Sequence, residues 1–231
     1  NCIYIGSSAT NNRTNNVEIV GNQMLNCHYS GIYNGASYVD FKRVSDNYIT
    51  INPNTTATTL SGIRIAAGTA DEVSNNTIII PRVAASSRTA YGIYFTTSVN
   101  RIKDISNNKI KITEATTSYG IYLSYMNLSA DTNQTIVANN EIISDCSGTN
   151  YGIYASSNYN THLYHNSIYL SGAGATSRPF YEVTAASTGS LKNNILVTLG
   201  GDATGTANNA VYFTSTSINN WDISYNNYYT I

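Results

Sequence analysis

Charged side chains are scarce in this chain of 231 residues, which has 12 Lys and Arg and 13 Asp and Glu. They make up 11% of the residues, well under the usual quarter, and the formal net charge is −1. Such a chain lacks the basic surface that binds nucleic acid or an anionic membrane. No apolar run approaches the roughly 18 residues of a transmembrane helix. A hydrophobic share of 42% with so little charge argues against a disordered chain, and the polar surface must be built from Asn, Ser, Thr and Tyr.

What the sequence does have is a repeat of about 30 residues with two alternating anchors. The first anchor reads Gly-Ile-Tyr in its best copies, and its apolar centre recurs at Ile3, Ile32, Ile63, Ile93, Ile121, Ile153, Phe180 and Val211. The second reads Asn-x-apolar, and its asparagine recurs at Asn22, Asn47, Asn76, Asn108, Asn140, Asn166, Asn194 and Asn226. A unit this short cannot bury its own apolar face, so successive units must stack on one another.

The residues around each anchor asparagine predict short strands. The third position before it is always apolar: Ile19, Val44, Val73, Ile105, Val137, Leu163, Leu191 and Ile223. The second position after it carries Met24, Ile49, Ile78, Ile110, Ile142, Ile168, Leu196 and Tyr228. The flanking runs alternate with period two, and helical spacing is nowhere sustained. We therefore predict an all-β fold, a right-handed parallel β-helix of about eight coils with three short strands per coil.

The asparagine column is expected to form one corner of each coil. Asn tolerates the left-handed backbone conformation that a tight corner requires. Stacked amides can also bond to one another at the strand spacing of about 4.8 Å. Doubled asparagines, such as Asn75-Asn76 and Asn107-Asn108, strengthen this prediction of an Asn ladder.

Cys2, Cys27 and Cys146 are an odd number of cysteines with no metal-site spacing. We predict that all three are small buried side chains, with a Cys2–Cys27 disulfide as the alternative. Cys146 lies about four coils from the other two, roughly 19 Å away, which is too far for a disulfide. The low-charge surface predicts an extracellular or cell-surface protein.

The coil period and the Asn ladder resemble those of the pectate-lyase-like superfamily of right-handed parallel β-helices. The resemblance covers the whole chain. It implies secretion, because this fold occurs in secreted polysaccharide-active enzymes and in long bacterial surface proteins. Lyases of the family use calcium and an arginine base, and its hydrolases use clustered aspartates. Fold alone does not imply function, however.

A tyrosine column follows the apolar centre of the first anchor. Its members are Tyr4, Tyr33, Arg64, Tyr94, Tyr122, Tyr154, Tyr181 and Tyr212. Alternation along the strand turns these side chains outward, and the Arg64 guanidinium is expected to stack between Tyr33 and Tyr94. One interpretation is a stacked ladder that stabilises the sheet. The other is a platform for sugar rings running from Tyr33 to Tyr212, which would make a polysaccharide or cell-surface glycan the partner.

Stacked carboxylates form the weaker site hypothesis. Glu72 and Asp104 fall on adjacent coils beside Asp71, where they could hold Ca²⁺ or shift a pKa for acid–base chemistry. Arg101 and Lys103 are expected to neutralise them, so a solvated mixed-charge face is the preferred interpretation and no cofactor or metal is predicted. His28, His162 and His165 do not form a zinc set. Arg82 and Arg88 lie on a variable connection and are expected to be solvated, with contact to an acidic glycan as the alternative.

We therefore predict one β-helix domain over 1–231, cut from a longer chain. The function expected is a structural or adhesive segment of a secreted or surface-attached bacterial protein. The alternative is a polysaccharide-binding or polysaccharide-processing β-helix. An enzyme is not favoured, because no compact catalytic constellation is visible. Open solenoid ends predict either flanking domains or head-to-tail stacking of copies.

Overall fold

The computed structural model describes residues 1–6, 14–37, 39–52, 57–81, 88–124, 133–172, 176–184, 187–199, 208–214 and 216–230. Nearly all regular structure in these ranges is β-strand. The strands are β1 Ile3–Ile5, β2 Thr14–Val20, β3 Gln23–Cys27, β4 Ser30–Asn34, β5 Val39–Ser45, β6 Tyr48–Ile51, β7 Thr59–Ser74, β8 Thr77–Ile80, β9 Thr89–Ser106, β10 Lys109–Ser124, β11 Thr135–Ala138, β12 Glu141–Ser156, β13 Thr161–Tyr164, β14 Ser167–Ser171, β15 Thr176–Glu182, β16 Gly189–Lys192, β17 Ile195–Thr198, β18 Val211–Phe213, β19 Trp221–Ser224 and β20 Asn227–Thr230. A 3₁₀ turn spans Thr216–Asn220, and no helix in the described ranges is long and apolar enough to cross a membrane.

The strands pair in parallel and form three ladders that run the length of the molecule. The first ladder stacks the strands of the Gly-Ile-Tyr anchor, from β1 and β4 to β18. The second stacks the strands before the anchor asparagine, from β2 and β5 to β19. The third stacks those after it, from β3 and β6 to β20. The fold is therefore the predicted all-β parallel solenoid.

The solenoid has about six turns rather than the predicted eight coils. Ile32, Ile63, Ile93, Ile121, Ile153 and Phe180 stack in register in its interior and are 0% exposed. The first and last members of this column, Ile3 and Val211, are only partly buried. Tyr228 near the C-terminus is 47% exposed although it occupies an interior column. An apolar side chain in the solenoid is covered by the coils above and below it, and among the described residues the outermost coils have such a neighbour on one side only.

The corner between the second and third ladders contains two different residues with different tasks. The residue before each anchor asparagine has a positive φ: Gly21, Asp46, Asn75, Asn107, Asn139, His165, Asn193 and Tyr225. The anchor asparagine itself points into the solenoid. The expectation that the anchor supplies the left-handed backbone is therefore wrong, since that conformation belongs to the preceding residue. The predicted Asn ladder is confirmed.

Each ladder amide from Asn47 to Asn194 has its hydrogen-bonding groups paired. The Asn76 Nδ2 donates to Asn108 Oδ1 at 3.0 Å and to the Val44 carbonyl at 2.9 Å. The backbone N–H of Asn76 donates to the same Asn108 Oδ1 at 3.1 Å. The side-chain bond to the next amide repeats along the whole column, from Asn22 to Asn226. The ladder thereby satisfies the polar groups that a tight buried corner would otherwise leave unpaired.

The cysteines divide differently from the prediction. Cys2 and Cys27 form a disulfide that joins the residue before β1 to the last residue of β3, so the expectation of three small buried thiols is wrong for this pair and the alternative is confirmed. The two Cα atoms lie 5.4 Å apart. Cys146 is free and buried, as predicted.

Candidate binding surface: the tyrosine face

The predicted tyrosine column lies on the outer surface of the first ladder. Its members, Tyr4, Tyr33, Arg64, Tyr94, Tyr122, Tyr154, Tyr181 and Tyr212, are aligned in register on successive coils. Tyr4 at the end is 62% exposed, and the others are partly exposed because their neighbours cover them. The outward orientation expected from alternation is therefore what the structure has.

A second aromatic column, which the sequence argument missed, runs beside the first. It consists of Tyr91, Tyr119 and Tyr151, followed in register by Arg178. Strict alternation would place Tyr91 and Tyr94, three positions apart, on opposite sides of the sheet. The signal was nonetheless present, because Tyr-Gly-Ile-Tyr occurs three times, starting at 91, 119 and 151.

The glycine between the columns explains why both tyrosines face outward. Gly92 and Ile93 are both buried, so the alternation is interrupted between Tyr91 and Tyr94. A Cβ on Gly92 would lie 2.4 Å from the Gly120 carbonyl oxygen and 2.5 Å from Cγ2 of Ile110. The same contacts recur at the glycines of the neighbouring coils, so only a residue without a side chain fits.

The rings form one continuous surface. Within a column, Tyr91 stacks on Tyr119 with centroids 4.9 Å apart, and Tyr122 stacks on Tyr154 at 4.6 Å. Between the columns, Tyr119 meets Tyr122 edge to face at 5.2 Å. We call this surface the tyrosine face, and its members are Tyr91, Tyr94, Tyr119, Tyr122, Tyr151, Tyr154 and Tyr181. Such stacked and edge-to-face pairs stabilise the sheet, and they also expose edges and hydroxyls to a ligand.

An arginine flanks the tyrosine face at each end. The Arg64 guanidinium lies 4.9 Å from the Tyr33 ring centroid and 5.2 Å from that of Tyr94, which confirms the predicted stacking. Arg178 lies 3.8 Å from the centroid of Tyr212 and 4.7 Å from that of Tyr181. The Nε atoms of both arginines are buried without a hydrogen-bond partner, and no carboxylate in the described residues pairs with either side chain. Both ends of the face are therefore positively charged.

The hydroxyls of Tyr91, Tyr119, Tyr151 and Tyr154 in the tyrosine face stay protonated. Burial raises the pKa of Tyr91, Tyr119 and Tyr154 far above the ordinary value, and neighbouring phenols raise them further. Burial also raises the pKa of Tyr151, which the Arg178 charge partly offsets. Neutral phenols both donate and accept hydrogen bonds, so the face suits neutral hydroxyl groups. It does not suit general-base chemistry near neutral pH.

A depression of about 280 Å³ adjoins the Arg64 end of the tyrosine face. Here Ser30 and Ser61 take the place of tyrosines in the second column, in register with Tyr91. The aromatic surface is therefore one column wide at this end and lower where the serines lie. The two serine hydroxyls bond to each other at 2.6 Å. The remaining lining includes Tyr29, Tyr33 and Arg64. This step places a charged group and a pocket at one end of a flat aromatic strip.

The acidic residues of the carboxylate hypothesis, Asp71, Glu72 and Asp104, lie on the second ladder, away from the tyrosine face. The Asp71 carboxylate pairs with the Lys103 ammonium at 2.7 Å, as expected, whereas the Arg101 side chain lies outside the described residues. Glu72 and Asp104 are adjacent in register, and each accepts a hydrogen bond from a serine two residues further on. Burial raises the pKa of Asp104, and the neighbouring Glu72 charge adds to this shift. In the described part of the chain, no three His, Cys, Asp or Glu side chains are placed to hold a metal ion.

The histidines and loop arginines do not extend the surface. His162 Nδ1 lies 2.8 Å from the hydroxyl of Ser190, which also bonds to Tyr164. Ser190 is only 4% exposed beneath these side chains, so the arrangement is a structural cluster. Arg88 is 5% exposed, and the prediction that it is solvated is wrong. Arg82 lies outside the described residues.

Comparison of the chain with protein-family models, with curated proteins and with solved structures found no match. The molecule is a parallel β-solenoid with a buried, hydrogen-bonded asparagine ladder at one corner and the tyrosine face on its outer surface.

Proposed function

We propose that this protein is a structural and adhesive β-solenoid of the pectate-lyase-like type, from a secreted or surface-attached bacterial protein, and that its tyrosine face binds polysaccharide. The observation that carries the proposal is the double column of partly exposed rings held at strand spacing. Their faces, edges and neutral hydroxyls match the CH groups and hydroxyls of sugar rings.

The rigidity of the scaffold supports binding of an extended chain. The rings are fixed by their own stacking and by glycines that admit no side chain, so little side-chain entropy remains to be lost on binding. The aromatic surface runs along the solenoid axis over six successive coils, from Tyr33 to Tyr181, with Arg64 among them. At about 4.8 Å per coil this is a strip of roughly 24 Å, which suits several sugar units rather than one.

The Cys2–Cys27 disulfide supports the secreted location. Disulfides persist in oxidising compartments and are rare in the cytosol of most organisms. The surface of the described ladders is also built largely from uncharged polar side chains and Tyr. Both features suit a protein exposed outside the cell.

The test is retention of the protein on a panel of neutral and acidic polysaccharides, soluble and insoluble, with and without calcium. Reducing ends are assayed in the same tubes, so that cleavage is seen if it occurs. We expect retention without release of reducing ends. The double substitution Tyr119→Ala with Tyr122→Ala should lower the affinity at least tenfold, because it removes stacking and hydroxyl contacts from the centre of the face.

Tyr225→Asn provides the matched control. Tyr225 is 84% exposed at the asparagine corner, away from the tyrosine face, and Asn suits its positive φ. The control should bind like the unmodified protein, and circular dichroism should show that both variants are folded. Retention that is absent from the whole panel, or that survives the double substitution, would contradict glycan binding at this face. Released reducing ends would replace the adhesive role by a processing one.

A further inference from the structure

The outer surface of the third ladder exposes many large hydrophobic side chains. Among the described residues, 12 large hydrophobic side chains are exposed, and six of them lie on this surface: Leu25, Tyr48, Ile143, Tyr169, Ile195 and Tyr229, at 37–54% exposure. We call the outward side chains of the strands that follow the asparagine corner the third-ladder face. It is separate from the tyrosine face, which lies on the first ladder.

The first outward row of the third-ladder face has a mirrored chemical order. In register along the axis it reads Gln23, Tyr48, Thr77, Lys109, Glu141, Ser167, Ile195 and Asn227. From either end the order is an amide, a large apolar residue, a hydroxyl and a charge. The two central charges have opposite sign. Reversing the row therefore places every residue opposite one of complementary chemistry.

The second outward row follows the same centre less strictly. It reads Thr50, Ile79, Lys111, Ile143, Tyr169, Val197 and Tyr229 in register, with Leu25 beside Thr50 at an irregularity of β3. Reversal places Ile79 opposite Tyr169 and Leu25 opposite Tyr229. It places Lys111 opposite Ile143, where the aliphatic stem of the lysine can cover the isoleucine.

We propose that the third-ladder face binds a second copy of this chain in a two-fold symmetric dimer whose two solenoid axes run in opposite directions. A two-fold axis parallel to the strands, between the coils of Lys109 and Glu141, superimposes each row on its reverse in the facing copy. The interface is isologous, so it closes at two copies. Lys109 of each copy then faces Glu141 of the other, and Tyr48 faces Ile195.

Charge favours this occupant, and the area of the face indicates how tightly it is held. Within one copy the Lys109 ammonium and the Glu141 carboxylate are 4.0 Å apart and more than half exposed, so both remain available to a facing copy. Burying the apolar ends on one another removes the exposed patch from water. The rows span roughly 34 Å by 13 Å, which is at the low end for a specific interface. We therefore expect a dimer that forms reversibly with concentration.

The test is sedimentation velocity of the intact chain over a concentration series reaching hundreds of micromolar. We expect a monomer–dimer equilibrium without larger species. Lys109→Glu and Glu141→Lys should each raise the dissociation constant at least tenfold, because each places like charges opposite one another twice per dimer. An equimolar mixture of these two variants should restore dimerisation, since every central contact in the mixed dimer is again between opposite charges.

Restoration by mixing keeps the test independent of folding, because a misfolded variant could not be rescued by its partner. Ile195→Asp should also weaken the dimer, whereas Ile218→Asp, at an exposed position outside the third-ladder face, should not. A protein that stays monomeric throughout the series would overturn the proposal. So would association that the two charge variants leave unchanged, or an open series of larger species, which indicates head-to-tail stacking at the ends instead.

Discussion

The asparagine corner and the tyrosine face are both columns of one residue type stacked at the same spacing, yet they use their polar groups in different ways. From Asn47 to Asn194 the ladder asparagines are at most 1% exposed. The NH₂ group and the oxygen of each side-chain amide both form hydrogen bonds within the solenoid. The tyrosines of the first ladder contact one another through their rings and stay partly exposed. A repeated polar residue therefore stabilises the fold where its polar groups bond to one another inside the solenoid. Where those groups face solvent, the same kind of column forms a surface that a ligand can contact.

The largest effect is expected when the internal ladder is broken. Asn108→Ala removes the acceptor of the Asn76 amide and backbone N–H, and the donor to the Val73 carbonyl and Asn140. Asn76 and Asn140 are at most 1% exposed, so water cannot replace the lost bonds, although Asn76 Nδ2 keeps its bond to the Val44 carbonyl and Asn140 Oδ1 keeps its bond to the backbone N–H of residue 108. We expect a loss of about 3–5 kcal/mol in the free energy of unfolding, measured by urea denaturation.

The neighbouring Asn107 is the control for this comparison. Its side chain is exposed and its φ is +56°, so Asn107→Gly keeps the backbone conformation that the corner requires. We expect a change within about 0.5 kcal/mol. Equal losses for Asn107→Gly and Asn108→Ala would show that the corner depends on asparagine in general rather than on the buried ladder.

The next largest effect concerns a polar group that lacks such a ladder. Glu182 follows Tyr181 but points into the interior, between Ala155 and Phe213 in register. It is 0% exposed, its Oε1 accepts a hydrogen bond from the Thr184 backbone N–H at 2.9 Å, and its Oε2 has no hydrogen-bond partner among the described residues. Burial raises the pKa of this carboxyl to about 7. The solenoid therefore tolerates Glu182 best in its neutral form.

The direction of the pH effect follows from the raised pKa. Below the unfolded value near 4.5, Glu182 is protonated in both states and its contribution is fully present. Between these two pKa values the folded protein keeps the Glu182 proton and the unfolded chain releases it. The free energy of unfolding therefore falls as the pH rises, until the folded carboxyl also ionises at about pH 7. We expect a loss of about 3 kcal/mol between these limits. In Glu182→Gln this part of the pH dependence should disappear, and an unchanged slope of urea-unfolding stability against pH would contradict the assignment.

The repeat predicted the solenoid because every coil presents the same environment, so one register argument applies to Val44 and Leu191 alike. It also predicted the Asn ladder and the stacking of Arg64, since both depend only on residues one coil apart. The second tyrosine column was missed because alternation was assumed to run unbroken through Gly92. Glu182 was missed, and the Cys2–Cys27 disulfide was only the alternative prediction, for another reason: their environments come from side chains on other coils, which a pattern within one coil does not contain.

A smaller effect is expected from adding a side chain at Gly120, which separates the two tyrosine columns. A Cβ at Gly120 would lie 2.5 Å from Cγ2 of Ile142 and 2.6 Å from the Gly152 carbonyl oxygen. Gly120→Ala should cost about 1–3 kcal/mol and disturb the stacking of Tyr119, seen as a weaker near-ultraviolet circular dichroism signal. Gly21→Asn is the control, because no atom would contact the new Cβ and Asn75 already occupies the equivalent corner position. Intact stacking in Gly120→Ala would refute the role given to this glycine.

The smallest effect on stability is expected from removing a single hydroxyl of the tyrosine face, which tests directly whether its polar groups are used differently from the ladder amides. Tyr119→Phe keeps the ring that stacks on Tyr91 and meets Tyr122, and removes only a hydroxyl that has no hydrogen-bond partner among the described residues. We expect the free energy of unfolding to change by less than about 0.5 kcal/mol, while retention on the bound polysaccharide falls because a hydroxyl contact is lost. A large loss of stability with unchanged retention would mean that the phenol is used internally, as the ladder amides are, and the distinction between the two columns would fail.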